Sequence, residues 1–252
     1  MYALNTALDE TGATLGPLLV ALVLMRAGGT AYQAGYATLL VSSLLALITL
    51  TLARRFFPAP AHLKVGWTAQ AKGLTLSYWL YMAAAACFGA GLMSFELVPF
   101  HLSSTGTVTD YWIPLFLVMA TAVGVVASLV FGRLYDRHGL RVILIAVVLS
   151  SFSSPLAFLG DFYAALAGLV LWGIGYATQG TLLKALVAGM LPEGRRNLAF
   201  GLFYAGYGCG WLVGSIATGL LYEQSLSLLI TSAVAIQLAS LPLFLVARWK
   251  QA

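Results

Sequence analysis

The sequence predicts an all-α membrane protein of about eight transmembrane helices, and three observations carry that prediction. Of 252 residues, 61% are hydrophobic and only 8% are charged, too few charges to solvate the surface of a soluble domain this large. The charges divide the chain into apolar runs near the roughly 20 residues that a bilayer-crossing helix needs. Those runs are continuously apolar, without period-two alternation, so they read as helices rather than barrel strands.

The predicted spans are residues 4–25, 33–53, 74–102, 111–131, 142–159, 162–183, 198–222 and 225–247. The first carries Asp9 and Glu10 within it, and the sixth can run on past Lys184 to Leu191. Residues 1–53 form a first unit, residues 54–73 a linker and residues 74–252 a second unit. The linker is basic, contains Pro58 and Pro60, and has Trp67 as an interfacial anchor.

Basic residues set the orientation. Arg54, Arg55, Lys64, Lys72, Arg133, Arg137, Arg141, Arg195, Arg196, Arg248 and Lys250 all fall on one side. The opposite loops hold Arg26 with Asp110, Asp161 and Glu223. Both termini are therefore expected in the cytoplasm, with the protein a multi-pass component of the cytoplasmic membrane. The net charge of +5 is spread through short loops, which argues against a nucleic-acid partner. Met1 to Glu10 has two acids and no base, the wrong polarity for a cleavable signal.

Enzymatic signatures are missing: there is no G-x-S-x-G, no H-E-x-x-H and no phosphate-binding loop. His62, His101 and His138 lack metal-ligand spacing, and Cys87 and Cys209 lie isolated in apolar runs. No enzyme activity, metal or cofactor is expected. Membrane lipid is the expected partner, and without a phosphate-binding loop any energy coupling would have to use an ion gradient or none.

One segment stands out: Gly132-Arg133-Leu-Tyr-Asp136-Arg137-His-Gly139-Leu-Arg141, a charged turn between two apolar runs. The pattern G-x-L-x-D-R-x-G-x-R resembles the loop motif of the major facilitator superfamily of transporters, where it joins the second and third helices of each six-helix half. Two further segments resemble family landmarks. Leu8-Asp9-Glu-Thr-Gly12-Ala-Thr-Leu-Gly16-Pro17 is similar to the glycine-proline pattern of the fifth helix. Pro192-Glu-Gly-Arg195-Arg196 is similar to the loop between the tenth and eleventh. The resemblance implies the family's helices five to twelve, two-thirds of a twelve-helix fold. The first four helices and the first copy of the motif are absent, as in an N-terminally truncated form. It implies secondary transport of a small molecule, with proton-coupled efflux as the first reading. The alternative is a non-transporting remnant or a membrane assembly partner.

Glu96 is the carboxylate deepest in the predicted spans, so it is expected to face the interior or a water-filled groove, with a raised pKa and a coupling role. An interfacial acid beside His101 is the plainer reading. Pro99 frees the carbonyl of Phe95 and is expected to kink that helix. Trp172, Tyr176, Thr178 and Gln179 form a polar-aromatic group suited to substrate contact, or to interhelical hydrogen bonds. Lys184 reads as a snorkelling interfacial lysine.

Small residues four apart allow helices to approach closely. They occur at Gly12 and Gly16, at Gly124, Ser128 and Gly132, and at Gly206, Gly210 and Gly214, the last accompanied by Phe203, Tyr204, Tyr207 and Trp211. By the family's symmetry, Gly12 and Gly16 should meet the Gly124 row, and Gly206, Gly210 and Gly214 should be left open where the second helix is absent. Cover for all three from another helix of the chain would count against that assignment. The motif should act as a clamp, with Asp136 at the start of the first helix and Arg133 or Arg137 paired with an acid such as Glu193.

Overall fold

The structure, a computed structural model, describes residues 2–27, 31–56, 74–108, 112–190 and 196–250. Its elements, in chain order, are α1 (Tyr2–Ala27), α2 (Ala31–Phe56), α3 (Leu76–Gly91), α4 (Leu97–Ser104), α5 (Trp112–His138), α6 (Leu140–Ser151), α7 (Ser153–Leu159), α8 (Phe162–Ala177), a π-helical turn (Thr178–Leu182), α9 (Leu183–Met190), α10 (Arg196–Gln224) and α11 (Leu226–Trp249). The described residues contain no β-strand. The chain is an all-α membrane protein.

Among the described residues, six helices are long and apolar enough to cross a membrane: Gln33–Phe56, Trp112–His138, Leu140–Leu159, Phe162–Met190, Leu198–Gln224 and Leu226–Trp249. Of the two other predicted spans, one is a long helix described only in part and one is broken. α1 is 26 residues long, and its apolar stretch among the fully described residues is Thr11–Arg26. The 74–102 span is not one helix: it breaks between Gly91 and Leu97 into α3 and α4. α2 runs through Arg54 and Arg55 to Phe56, so the linker starts later than residue 54; residues 57–73 lie outside the described residues.

The charged motif is helix rather than loop. α5 continues through Arg133, Asp136 and Arg137 to His138, and Gly139 alone, at φ +58°, makes the turn into α6. At 1.5 Å per residue a 27-residue helix is about 40 Å long, the full bilayer with its head groups. The basic end of α5 therefore reaches water while still helical. A positive φ without strain is why glycine stands at position 139.

The 142–159 span is broken too, at Phe152, between α6 and α7. Pro155, in the first turn of α7, has no N–H for the carbonyl of Ser151. Ser150 and Ser151 turn their hydroxyls back to the carbonyls of Val147 and Val148, at 3.2 and 2.8 Å. The sixth span does run on, through the π-helical turn, to Met190.

The core centres on α3, held between α10 and α11. A Cβ added at Gly206 would meet Met82, and at Gly210 and Gly214 the carbonyls of Ala86 and Ala90. Both rows ascend together in steps of four, so α3 and α10 run parallel at backbone contact. This overturns the expectation that the Gly206 row is an uncovered surface. The row's spacing specified a close approach, but its partner is α3 of the same chain, so it is no evidence for absent helices. α11 lies antiparallel on α3: Tyr81 meets the Phe244 ring, and Gly91 abuts Gln237.

α1 packs on α5, as expected, but not through its glycines. A Cβ at Gly12 or Gly16 meets nothing within 4 Å. The contact instead includes Thr14, whose hydroxyl donates to that of Thr121 at 3.3 Å. Gly124 and Gly132 face Tyr176 and Thr181 of the α8 side. Pro17 is accommodated inside α1. The expected meeting of the two glycine rows does not occur.

Candidate functional site

The break after α3 shapes the candidate site. Gly89 and Gly91 end the helix, and Leu92 leaves helical geometry at ψ 103°. The carbonyl of Met93 then has no helical donor, and the indole Nε1 of Trp172 donates to it at 2.8 Å. Met93 is 1% exposed, so this bond satisfies a buried acceptor. Trp172 also meets Phe95 at 5.5 Å and stacks on Tyr176, one turn later in α8, at 5.4 Å and 15°.

Tyr176 lies against position 124 of α5, where a Cβ would sit 3.4 Å from its ring, in ordinary contact. At Gly173 the fit is tighter still, with a built Cβ 2.5 Å from the carbonyl of Ala120. Just beyond, the helix widens into the π turn. Turns of this kind are frequent at functional sites. Gln179 sits within it, and its Oε1 accepts from the Tyr207 hydroxyl of α10 at 2.8 Å. The Tyr207 ring fills the gap at Gly89, where a Cβ would come within 2.8 Å of it. Tyr204 and Tyr176 lie within electrostatic reach of Tyr207. The Tyr204 hydroxyl is buried without a hydrogen-bond partner among the described residues.

Trp172, Tyr176 and Gln179 are thus brought together, and α10 adds Tyr204 and Tyr207. The cluster offers aromatic faces and neutral hydrogen-bonding groups. No charged side chain is buried among the described residues. Thr178 does not join the display; its hydroxyl bonds the carbonyl of Ile174 at 2.9 Å.

Glu96 stands apart. It begins α4, is exposed, and makes no side-chain cap bond. It was expected inside an unbroken helix; the break places it at a turn instead. The Phe95 carbonyl, expected to be freed by Pro99, accepts from the N–H of Val98 at 3.1 Å. Pro99 sits in the first turn of α4, where its missing N–H costs nothing. His101 bonds the Tyr222 hydroxyl at 3.0 Å and not Glu96. Lys184 is exposed.

Asp136, expected to act as the clamp, is exposed and makes no hydrogen bond among the described residues. Arg133 donates to the carbonyl of Leu129 in its own helix at 3.4 Å, and neither it nor Arg137 forms an ion pair among the described residues. Glu193, Arg195 and Pro192 lie outside the described residues. Arg141, in the first turn of α6, is exposed.

A second polar contact was missed from sequence. Gln237 of α11, 1% exposed, donates through Nε2 to the Ser150 hydroxyl at 2.7 Å, while its Oε1 has no partner among the described residues. A lone amide in a long apolar helix is costly in lipid, and that was the available signal.

An uncharacterised protein of Mycobacterium tuberculosis is 29% identical over 247 residues, 95% of this chain and 60% of that relative. Probable sugar efflux transporters of Haemophilus influenzae are 29% identical over 148 residues, 57% of this chain and 37% of the relative. An uncharacterised transporter of the same superfamily from Methanocaldococcus jannaschii is 30% identical over 94 residues, 37% of this chain and 24% of that relative. The chain spans about 60% of the length of the mycobacterial relative it matches. No solved structure matches it. Residues 74–251, from the start of α3 onward, match the Major Facilitator Superfamily, and the chain belongs to that family.

Proposed function

We propose that the chain carries out secondary transport of a small molecule across the cytoplasmic membrane, outward and coupled to protons. The Trp172–Tyr176–Gln179–Tyr207 cluster serves as its substrate contact. Membership of a family that moves small molecules supports the coarse reading. The observation that carries the finer one is the neutral, aromatic and hydrogen-bonding character of that cluster at a π turn. A substrate rich in hydroxyl groups suits it, and the sugar efflux transporters among the relatives support that class and direction. Glu96, exposed at a turn between two apolar helices, is the proposed coupling residue. A second reading, a membrane assembly partner, draws on α2. That helix packs chiefly on α1 and is exposed along the whole of residues 41–56.

Vesicles containing the purified chain and loaded with labelled monosaccharides test the first reading. Release should follow an imposed pH difference. Gln179→Leu should lower the rate at least about tenfold, the effect of losing one well-placed hydrogen bond of about 1.4 kcal/mol. Glu96→Gln should abolish the pH dependence and leave folding intact. Release equal to that of protein-free vesicles rejects transport, and unchanged pH dependence in Glu96→Gln rejects the coupling role.

A further inference from the structure

A cleft of about 330 Å3 opens at the end of the bundle that carries the charged motif. That volume lies within the roughly 300–1,000 Å3 range of small-ligand sites. Five helices frame it. α3 contributes Tyr81, α5 contributes Tyr135 and His138, α6 contributes Leu140, α9 contributes Gly189 and Met190, and α11 contributes Arg248.

The charge of this wall is one-sided. Arg248 is its guanidinium, His138 its imidazole, and among the described residues no carboxylate lines it. Arg248 forms no ion pair among the described residues, although its charge reaches Tyr81. Asp136 is the nearby acid: its charge acts on Tyr135, but it is not part of the wall. Open space lies beside its two glycines: a Cβ at Gly139 or at Gly189 would meet nothing within 4 Å.

We propose that this cleft binds a phosphate ester, with Arg248 as its principal contact. A guanidinium offers two parallel N–H donors that match phosphate oxygens, and among the described residues it is paired with no carboxylate. The tyrosine hydroxyls at positions 81 and 135 stand beside it as polar neighbours. Basic pockets between transmembrane helices on the cytoplasmic side are suited to anionic lipid head groups. A soluble phosphate ester presents the same chemistry. The proposal is independent of the transport reading, since the cleft shares no residue with the aromatic cluster.

The test uses the full chain, purified in mild detergent and offered phosphatidylglycerol, phosphatidylcholine or glycerol 3-phosphate. Binding is read by native mass spectrometry. Phosphatidylglycerol should be retained in excess over phosphatidylcholine. Arg248→Ala should reduce that retention about fivefold, the worth of one basic residue near an anionic surface. Gly189→Leu, which fills the cleft without removing charge, should do the same. Arg26→Ala, at the other end of the bundle, should change nothing. If glycerol 3-phosphate binds alone and displaces the lipid with the same dependence on Arg248, the ligand is a soluble ester. If it does neither, the ligand is the lipid, and both results support the site. Equal retention of the two lipids, without Arg248-dependent binding of glycerol 3-phosphate, overturns the proposal. So does indifference of every bound ligand to both cleft variants, or an equal loss in Arg26→Ala. Should Arg248→Ala aggregate, Gly189→Leu alone decides.

Discussion

At the scale of single residues, the stability of this fold depends on which buried polar atoms have partners. Trp172 and Gln237 are both buried amid apolar helices, yet their substitutions should differ. Removing the indole N–H leaves the Met93 carbonyl buried with no other donor in place, because α3 has already ended there. Trp172→Phe should therefore lower stability by about 1 kcal/mol beyond its packing loss. The Oε1 of Gln237 already lacks a partner, and Ser150, which receives its Nε2, also bonds the carbonyl of Val147. Gln237→Met keeps the volume and removes an unpaired acceptor, so it should be near neutral. Thermal unfolding in detergent, followed by intrinsic fluorescence or circular dichroism, measures both. A larger loss for Gln237→Met than for Trp172→Phe would show that the bookkeeping of partners is wrong.

At the scale of helices, the glycine rows show what a sequence pattern can and cannot specify. Steps of four at Gly206, Gly210 and Gly214 announce a close approach, and α10 does touch a neighbour along that row. The spacing describes one ridge only, so it did not identify Met82, Ala86 and Ala90 of α3 as the opposite ridge. Gly12 and Gly16 have the same spacing and face open space. The apolar runs made the helices legible, and the adjacency of Trp172, Tyr176 and Gln179 made half of the site legible. In the other half Tyr204 and Tyr207 stood out as aromatics beside the Gly206 row, but the bond from Tyr207 to Gln179, 28 residues away, was not legible. The breaks at residues 92–96 and at Phe152 escaped notice because apolar composition continues through them. Substitution separates the two glycine rows. Gly210→Ala drives a methyl into the Ala86 carbonyl, backbone that cannot swing aside, and should destabilise by about 1–3 kcal/mol. Gly12→Ala should be neutral or stabilising by up to about 1 kcal/mol, since it meets no atom and favours helix. Equal melting temperatures for the two variants would mean that α3 and α10 are not at backbone contact.

At the scale of the whole molecule, orientation joins the basic loops, the helix count and the cleft. Membrane insertion leaves most short basic segments on the cytoplasmic side. Arg137 ends α5 and Arg248 ends α11, at the end framed by Tyr81 and Met190. Thr107, after α4, is exposed beyond the far end of α3, in a stretch without Lys or Arg. One cysteine at each end converts this asymmetry into a measurement, after Cys87 and Cys209 have both been replaced by Ala. Thr107→Cys should react with a membrane-impermeant maleimide on intact cells. Arg137→Cys should react only once the membrane is permeabilised. The site at residue 137 is exposed, so its silence in intact cells cannot be ascribed to burial. The reverse pattern would place the Arg248 cleft outside, where anionic inner-leaflet lipid could not be its ligand. It would also turn the proposed direction of transport around. Labelling of both positions on intact cells would mean that the chain does not hold one orientation, and the positive-inside reading would then fail for this protein.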